Sequence, residues 1–185
     1  GVPALQVLDP TLLLTKKDYE EISGVNSVSS HKKQLLLFNL SNNEFKSQVS
    51  QSIAELLSAE VVDFNLPVYT DYFLPEVYQF KSVESWLDSF ASADFVLTDS
   101  FHGTAFSIIF EKKFFSVNDY INGEYVDDER IRNILGELGI LERYIKEEDI
   151  QNLDFQKEID YTVVTGKRLE LAENAIKDIT KAIED

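Results

Sequence analysis

Apolar residues along the chain switch between two spacings, and the switching predicts an alternation of strands and helices. Short continuous apolar runs stand at Leu35-Leu36-Leu37-Phe38, at Val61-Val62 with Phe64, at Phe95-Val96-Leu97, and at Phe114-Phe115 with Val117. The first of these suits a strand buried on both faces of a parallel sheet, and strands are expected over residues 34–40, 60–64, 95–98 and 114–117. Between them the apolar positions recur at three and four. Phe45, Val49, Ile53, Leu56 and Leu57 form one set, and Val83, Trp86, Leu87 and Phe90 another. These spacings predict helices over 43–58 and 82–93. A nearly all-apolar stretch predicts a further helix from about residue 104 to 110.

Strand and helix alternating in this way argue for an α/β fold, a Rossmann-like, doubly wound, mainly parallel sheet with right-handed crossovers and helices on its faces. Before it, Thr15 can cap a short helix over 15–22, followed by a polar loop over 24–33. Residues 66–82 hold Pro67 and Pro75 among aromatic side chains, and predict an irregular segment that packs aromatics or lines a cleft. Downstream, Ile131, Ile134, Leu135 and Leu138 share a helical stripe that Gly139 is placed to end. A long C-terminal helix is expected over 161–184, where Leu169, Ala172, Ile176, Ile179 and Ile183 form an apolar seam. Such a seam either packs in the core of its own domain or docks on a partner domain. The expected organisation is a leading segment over 1–33, a Rossmann-like domain over 34–159, and a terminal helix over 160–185. Gly1 in place of Met, and an opening that reads like the tail of a preceding unit, suggest a domain cut from a longer protein.

Composition narrows the functional classes. The chain of 185 residues is 44% hydrophobic, with 13 Phe and 8 Tyr, enough to build one real core. Seventeen basic against 33 acidic residues give a net charge of −16, which disfavours nucleic acid and anionic lipid as partners. An anionic small molecule can still bind where a helix N-terminus and an arginine supply local donors. No cysteine is present, so disulfides, thiolate metal sites and thiol catalysis are excluded. No apolar run is long enough to span a bilayer, no signal-peptide pattern opens the chain, and a cytoplasmic protein is expected.

Polar chemistry concentrates between the third strand and the apolar helix after it, in Asp99-Ser100-Phe101-His102-Gly103-Thr104. In an open α/β sheet ligands bind beyond the carboxyl ends of the strands, where free N–H groups of the next helix point outward. His102 can give or take a proton near neutral pH, and Gly103 lets backbone approach a ligand. Asp99 suits a turn, and Ser100 either caps the helix or donates to a phosphate. His31 reads as a loop residue. Arg130 and Arg132 stand at a helix start, where a cation opposes the dipole, and pairing with Asp127, Asp128 or Glu129 is one explanation for them. Arg143 suits tying down a helix end, and Lys112 and Lys113 suit solvated turn positions. A serine hydrolase is not indicated, because the Gly-x-Ser-x-Gly elbow is missing.

The run from Ser85-Trp86-Leu87 through Ala93-Asp94-Phe95-Val96-Leu97-Thr98-Asp99-Ser100-Phe101-His102-Gly103-Thr104 to Lys113-Phe114 resembles the signature stretch of the polysaccharide pyruvyl transferase family. Asp9-Pro10-Thr11-Leu12-Leu13-Leu14, and Arg130-Ile131 through Leu138-Gly139 to Arg143, resemble further family segments, so the resemblance runs through essentially the whole chain. It implies one half of a GT-B-like architecture, in which two Rossmann-like halves face a cleft and this chain is the second. It also implies transfer of a pyruvyl group from phosphoenolpyruvate to a sugar of a bacterial surface polysaccharide, forming a ketal.

On that resemblance His102 is the expected catalytic residue, as an acid or a phosphate ligand. Ser100, Gly103, Thr104 and Arg130 are expected to bind substrate, with the amides of residues 103–105 holding phosphate or carboxylate. No metal and no cofactor beyond the donor phosphoenolpyruvate is expected. The expected partners are a glycan acceptor, lipid-linked in one form and met at the inner face of the membrane, and the N-terminal half, without which the fragment should be inactive. A GT-B nucleotide-sugar glycosyltransferase and a non-catalytic interaction domain are the competing readings.

Overall fold

The computed structural model describes residues 7–24, 32–41, 43–64, 82–121 and 124–184. A 3-10 turn at Pro10–Leu13 precedes helix α1 (Lys16–Ser23). The body then alternates β1 (Gln34–Phe38), α2 (Glu44–Leu57), β2 (Glu60–Asp63), α3 (Val83–Ser92), β3 (Phe95–Thr98), α4 (Phe101–Ile109) and β4 (Lys113–Val117). A hairpin of β5 (Asp119–Ile121) and β6 (Glu124–Val126) leads into α5 (Glu129–Leu138), the two-residue strand β7 (Tyr144–Ile145) and the long α6 (Tyr161–Glu184). The irregular segment expected over 66–82 and the loop residue His31 lie outside the described residues, apart from Ser82.

Five parallel strands form one sheet in the order β2-β1-β3-β4-β7. Register aligns Leu36 with Val96 and Val96 with Phe114, so one row of apolar side chains crosses the three central strands. On that face Leu36, Val96 and Phe114 meet Leu87 and Phe90 of α3, Ala105 and Ile109 of α4, and Ile131 and Leu135 of α5. On the other face Leu35, Leu97, Phe115 and Val117 meet Phe45, Val49 and Ile53 of α2. Burial on both faces is why these strands read as continuous apolar runs. The doubly wound α/β arrangement expected from the alternation is thus the observed fold, with a topological switch point between β1 and β3.

Local chemistry sets the helix ends. Thr15 and Asp18 form a capping box on α1, and Asn43 accepts from Lys46 N at 2.8 Å at the start of α2. Ser82 caps α3 through Ser85 N, and Gly139 ends α5 in the left-handed region at φ 78°.

The outer segments join the same core. Leu12 is fully buried among α3, α4 and α5 side chains, and Val164 of α6 belongs to the same cluster. The buried face of α6 carries Val164, Arg168, Ala172 and Ala175, while Leu169, Ile176 and Ile183 of the expected seam are exposed. Arg168 decides this offset, because its Nη1 donates to Leu12 O and Leu14 O at 2.8 Å each and so turns its own face of α6 inward. Lys112 departs from the solvated position expected of it. Its Nζ donates to Ala91 O at 2.6 Å, and burial holds its pKa below the ordinary lysine value. No helix among the described residues is long and apolar enough to cross a membrane.

Candidate functional site at the carboxyl edge of the sheet

The chain leaves β3 at Thr98, beside the switch point, and only Asp99 and Ser100 separate it from α4. The helix therefore starts three residues earlier than its apolar run suggests. Ser100 adopts an extended backbone and its carbonyl accepts from Thr104 N at 2.9 Å, which closes the first helical turn over Phe101, His102 and Gly103. The N–H of Thr104 is thus spent inside the helix. The outward donors of the first turn are those of Phe101, His102 and Gly103, in place of the expected amides of 103–105. Ser100 makes no side-chain cap bond, so its hydroxyl leaves those N–H groups unclaimed.

Each candidate side chain has a distinct surrounding. His102 is exposed on the first turn of α4, and its ring lies 5.6 Å, edge-on, from that of Phe101. Gly103 is buried against the sheet. A Cβ there would collide with the Thr98 side chain and lie 2.9 Å from the Phe38 ring, so close helix–strand packing is what requires a glycine here. Thr104 is fully buried, its Oγ1 donating to Ser100 O at 3.1 Å and lying 2.7 Å from Ser116 Oγ. It braces α4 on β4 and faces no open space.

Asp99 is buried and reaches sideways to the loop after β1. Its carboxylate accepts from Leu40 N at 2.6 Å and Ser41 N at 3.1 Å, and pairs with the buried ammonium of Lys46. The two loops flanking the switch point are tied together through this residue. Thr98 adds a second tie, its Oγ1 donating to Phe38 O at 2.5 Å and accepting from Ser100 N at 3.1 Å.

Arg130 lies over the Phe101 ring. Its guanidinium carbon lies 5.3 Å from the ring centroid, and Nε and Nη2 fork onto Asp128 at 3.1 and 2.7 Å. The hydrogen bonds it donates to Asp128 raise the Arg130 pKa; partial burial pushes Asp128 up, but the bonds it accepts from the Arg130 side chain and backbone hold it below the ordinary carboxylate value. An anion bound by Arg130 shares it with Asp128. Arg132 pairs with Asp127 and stays outside the site. Arg143 is buried, its Nη2 donating to Lys157 O at 2.5 Å and Glu158 O at 3.2 Å, so it ties the chain ahead of α6 to the sheet edge.

Sequence reasoning missed three polar residues at this edge. Asn39 follows β1, Asn118 follows β4, and Asn43 starts α2. Asn39 and Asn118 are 4% and 7% exposed, and the buried atoms Asn39 Oδ1, Asn118 Oδ1 and Asn43 Nδ2 have no hydrogen-bond partner. Unpaired buried amides are costly unless a ligand or water completes them. The available signal was an asparagine directly after two of the apolar strand runs, Asn39 after Phe38 and Asn118 after Val117. Among the described residues no three His, Asp or Glu side chains are grouped so as to hold a metal ion.

The family model described as polysaccharide pyruvyl transferase matches residues 1–119 of the chain. That span contains Ser100, His102, Gly103 and Thr104 and ends before Arg130. No curated protein and no solved structure matches the chain.

Proposed function

As the chain belongs to the polysaccharide pyruvyl transferase family, we propose that it takes part in moving a pyruvyl group from phosphoenolpyruvate to two hydroxyls of one sugar in a bacterial surface polysaccharide. The observation that carries this is the uncapped first turn of α4 at the switch point. It sets outward N–H groups beside an exposed His102, with Arg130 over the neighbouring Phe101 ring. Helix N-termini suit phosphate and carboxylate, the two anionic ends of the donor.

In this reading the methylene carbon of the enol phosphate takes a proton and one sugar oxygen bonds to the central carbon. Phosphate then leaves with its bridging oxygen, and the second sugar oxygen bonds to that same carbon. The two hydroxyl protons account for the new methyl C–H and for the proton on the released phosphate. His102 supplies or relays the proton, and the α4 amides hold the phosphate as charge gathers on it. Ser100 and Arg130 complete the anion site, and an N-terminal half supplies the opposite wall.

His102→Ala in the active protein should lower ketal formation by about a hundredfold or more, the usual contribution of a general acid or base. Unchanged ketal formation would remove His102 from the chemistry. Phosphoenolpyruvate should raise the melting temperature of the same protein. Stabilisation by nucleotide sugars alone would overturn the reading in favour of glycosyl transfer.

A further inference from the structure

A cleft of 720 Å³ opens between the segment around Pro10, α5 and α6, and Phe101 of α4 forms part of its lining. Its polar groups differ in kind from those at the start of α4. Four carboxylates, Asp9, Glu129, Glu137 and Asp178, and two amides, Asn133 and Asn174, face it over an apolar floor. Among the described residues of the lining the one cation is Arg130, which already carries the Asp128 carboxylate. A phosphate or carboxylate is repelled by such a lining. A polyhydroxyl ligand suits it, because carboxylates accept strongly from hydroxyl groups, amides both donate and accept, and apolar side chains take the C–H face of a pyranose. The volume lies within the range of small-molecule sites.

We propose that this cleft is the acceptor subsite, taking an uncharged sugar residue whose hydroxyl pair is presented past Phe101 to His102. This rests on the pyruvyl transferase reading and deepens it. Phe101 joins the two sites, since it lines the cleft while its ring lies 5.6 Å from the His102 ring and has Arg130 over it. The donor pole and the acceptor cleft thus meet at one residue. Their opposite electrostatics sort an anionic donor from a neutral acceptor.

The test is a series of two-dimensional NMR titrations of the ¹⁵N-labelled chain. The probes are phosphoenolpyruvate, calcium chloride, and the methyl glycosides of galactose, glucose, mannose, N-acetylglucosamine and N-acetylmannosamine, each taken to high millimolar concentration. At least one glycoside should shift the amides of Phe101, Asn133 and Asn174. That response should weaken about tenfold in Asn174→Ala and in Glu137→Gln, the worth of one lost hydrogen bond to a bound ligand. Both side chains are exposed, so the fold should survive, and phosphoenolpyruvate should shift His102 and Gly103 equally in wild type and variants. The proposal is overturned if no glycoside shifts the cleft, if the variants respond as wild type does, or if calcium alone perturbs it. Glycoside shifts without any phosphoenolpyruvate response at α4 would instead sink the donor reading and leave the cleft as a carbohydrate site.

Discussion

At the residue scale, one glycine shows how the same side chain can be read in two ways. Gly103 adjoins His102 in a polar run, which suggests an approach for ligand, yet a Cβ added to it would meet Thr98 and Phe38. Gly103→Ala gains helix propensity of up to about 1 kcal/mol but forces a methyl group into packed side chains, at about 1–3 kcal/mol. The collision should win, and urea unfolding should show net destabilisation. Gly136 and Gly166 sit in α5 and α6 with nothing within 4 Å of an added Cβ. Alanine at either should stabilise by about 0.4–1 kcal/mol, and the opposite signs in one assay check the packing argument. The Lys46–Asp99 pair is a second residue-scale case. Lys46→Met leaves a buried carboxylate without its cation and should cost about 3–5 kcal/mol by the same measurement. A cost near zero would mean that the amides of Leu40 and Ser41 alone satisfy Asp99.

At the element scale, α6 is held less by its apolar spacing than by one arginine. The isoleucine and leucine positions 169, 176 and 183 would make a regular seam, but they face solvent. Arg168 lies buried and serves two carbonyls of the turn after Pro10, so the first and last described segments are locked together. Arg168→Met keeps much of the stem and removes the donors. It should destabilise by about 1.5–3 kcal/mol and speed hydrogen exchange across α6 more than in the central strands. Uniform acceleration throughout the chain would mean that α6 unfolds only with the whole. The early start of α4 belongs to the same scale. Its first turn is written in Phe101, His102 and Gly103, residues that look like a loop until the Thr104 to Ser100 bond is seen.

At the scale of the whole molecule, charge and acid stability are linked. Among the described residues four carboxylates are held below their ordinary pKa values. Bonds from Thr15 act on Asp18 and from Ser82 on Glu84, while Arg130 and Lys157 overcome the effect of partial burial on Asp128 and Glu142. The unfolded chain therefore takes up protons at these sites before the folded one does. Their stabilising contribution is present above the ordinary values of 3.8 and 4.5, and is lost as pH falls through the lowered folded values. The urea midpoint should fall over that acid range, and Asp128→Asn should make the fall shallower. An identical slope in the variant would show that Asp128 is not among the linked groups.

How much was legible follows from the range of each interaction. Local pattern was enough for the α/β class, strands β1 to β4, most of the helix ends, and the family, because apolar period and capping chemistry act over a few neighbouring residues. It also pointed to His102, since a titratable side chain between two buried elements stands out locally. It did not reach β7, whose two residues are too few to make a pattern, nor the amides of Asn39 and Asn118, which matter only because β1, β3 and β4 lie side by side. The roles of Asp99, Gly103, Thr104 and Arg168, and the cleft bounded by residues as distant as Asp9 and Asp178, were decided by tertiary structure alone. Each depends on contacts between residues far apart in the chain, and a single sequence records the residues without recording which of them meet.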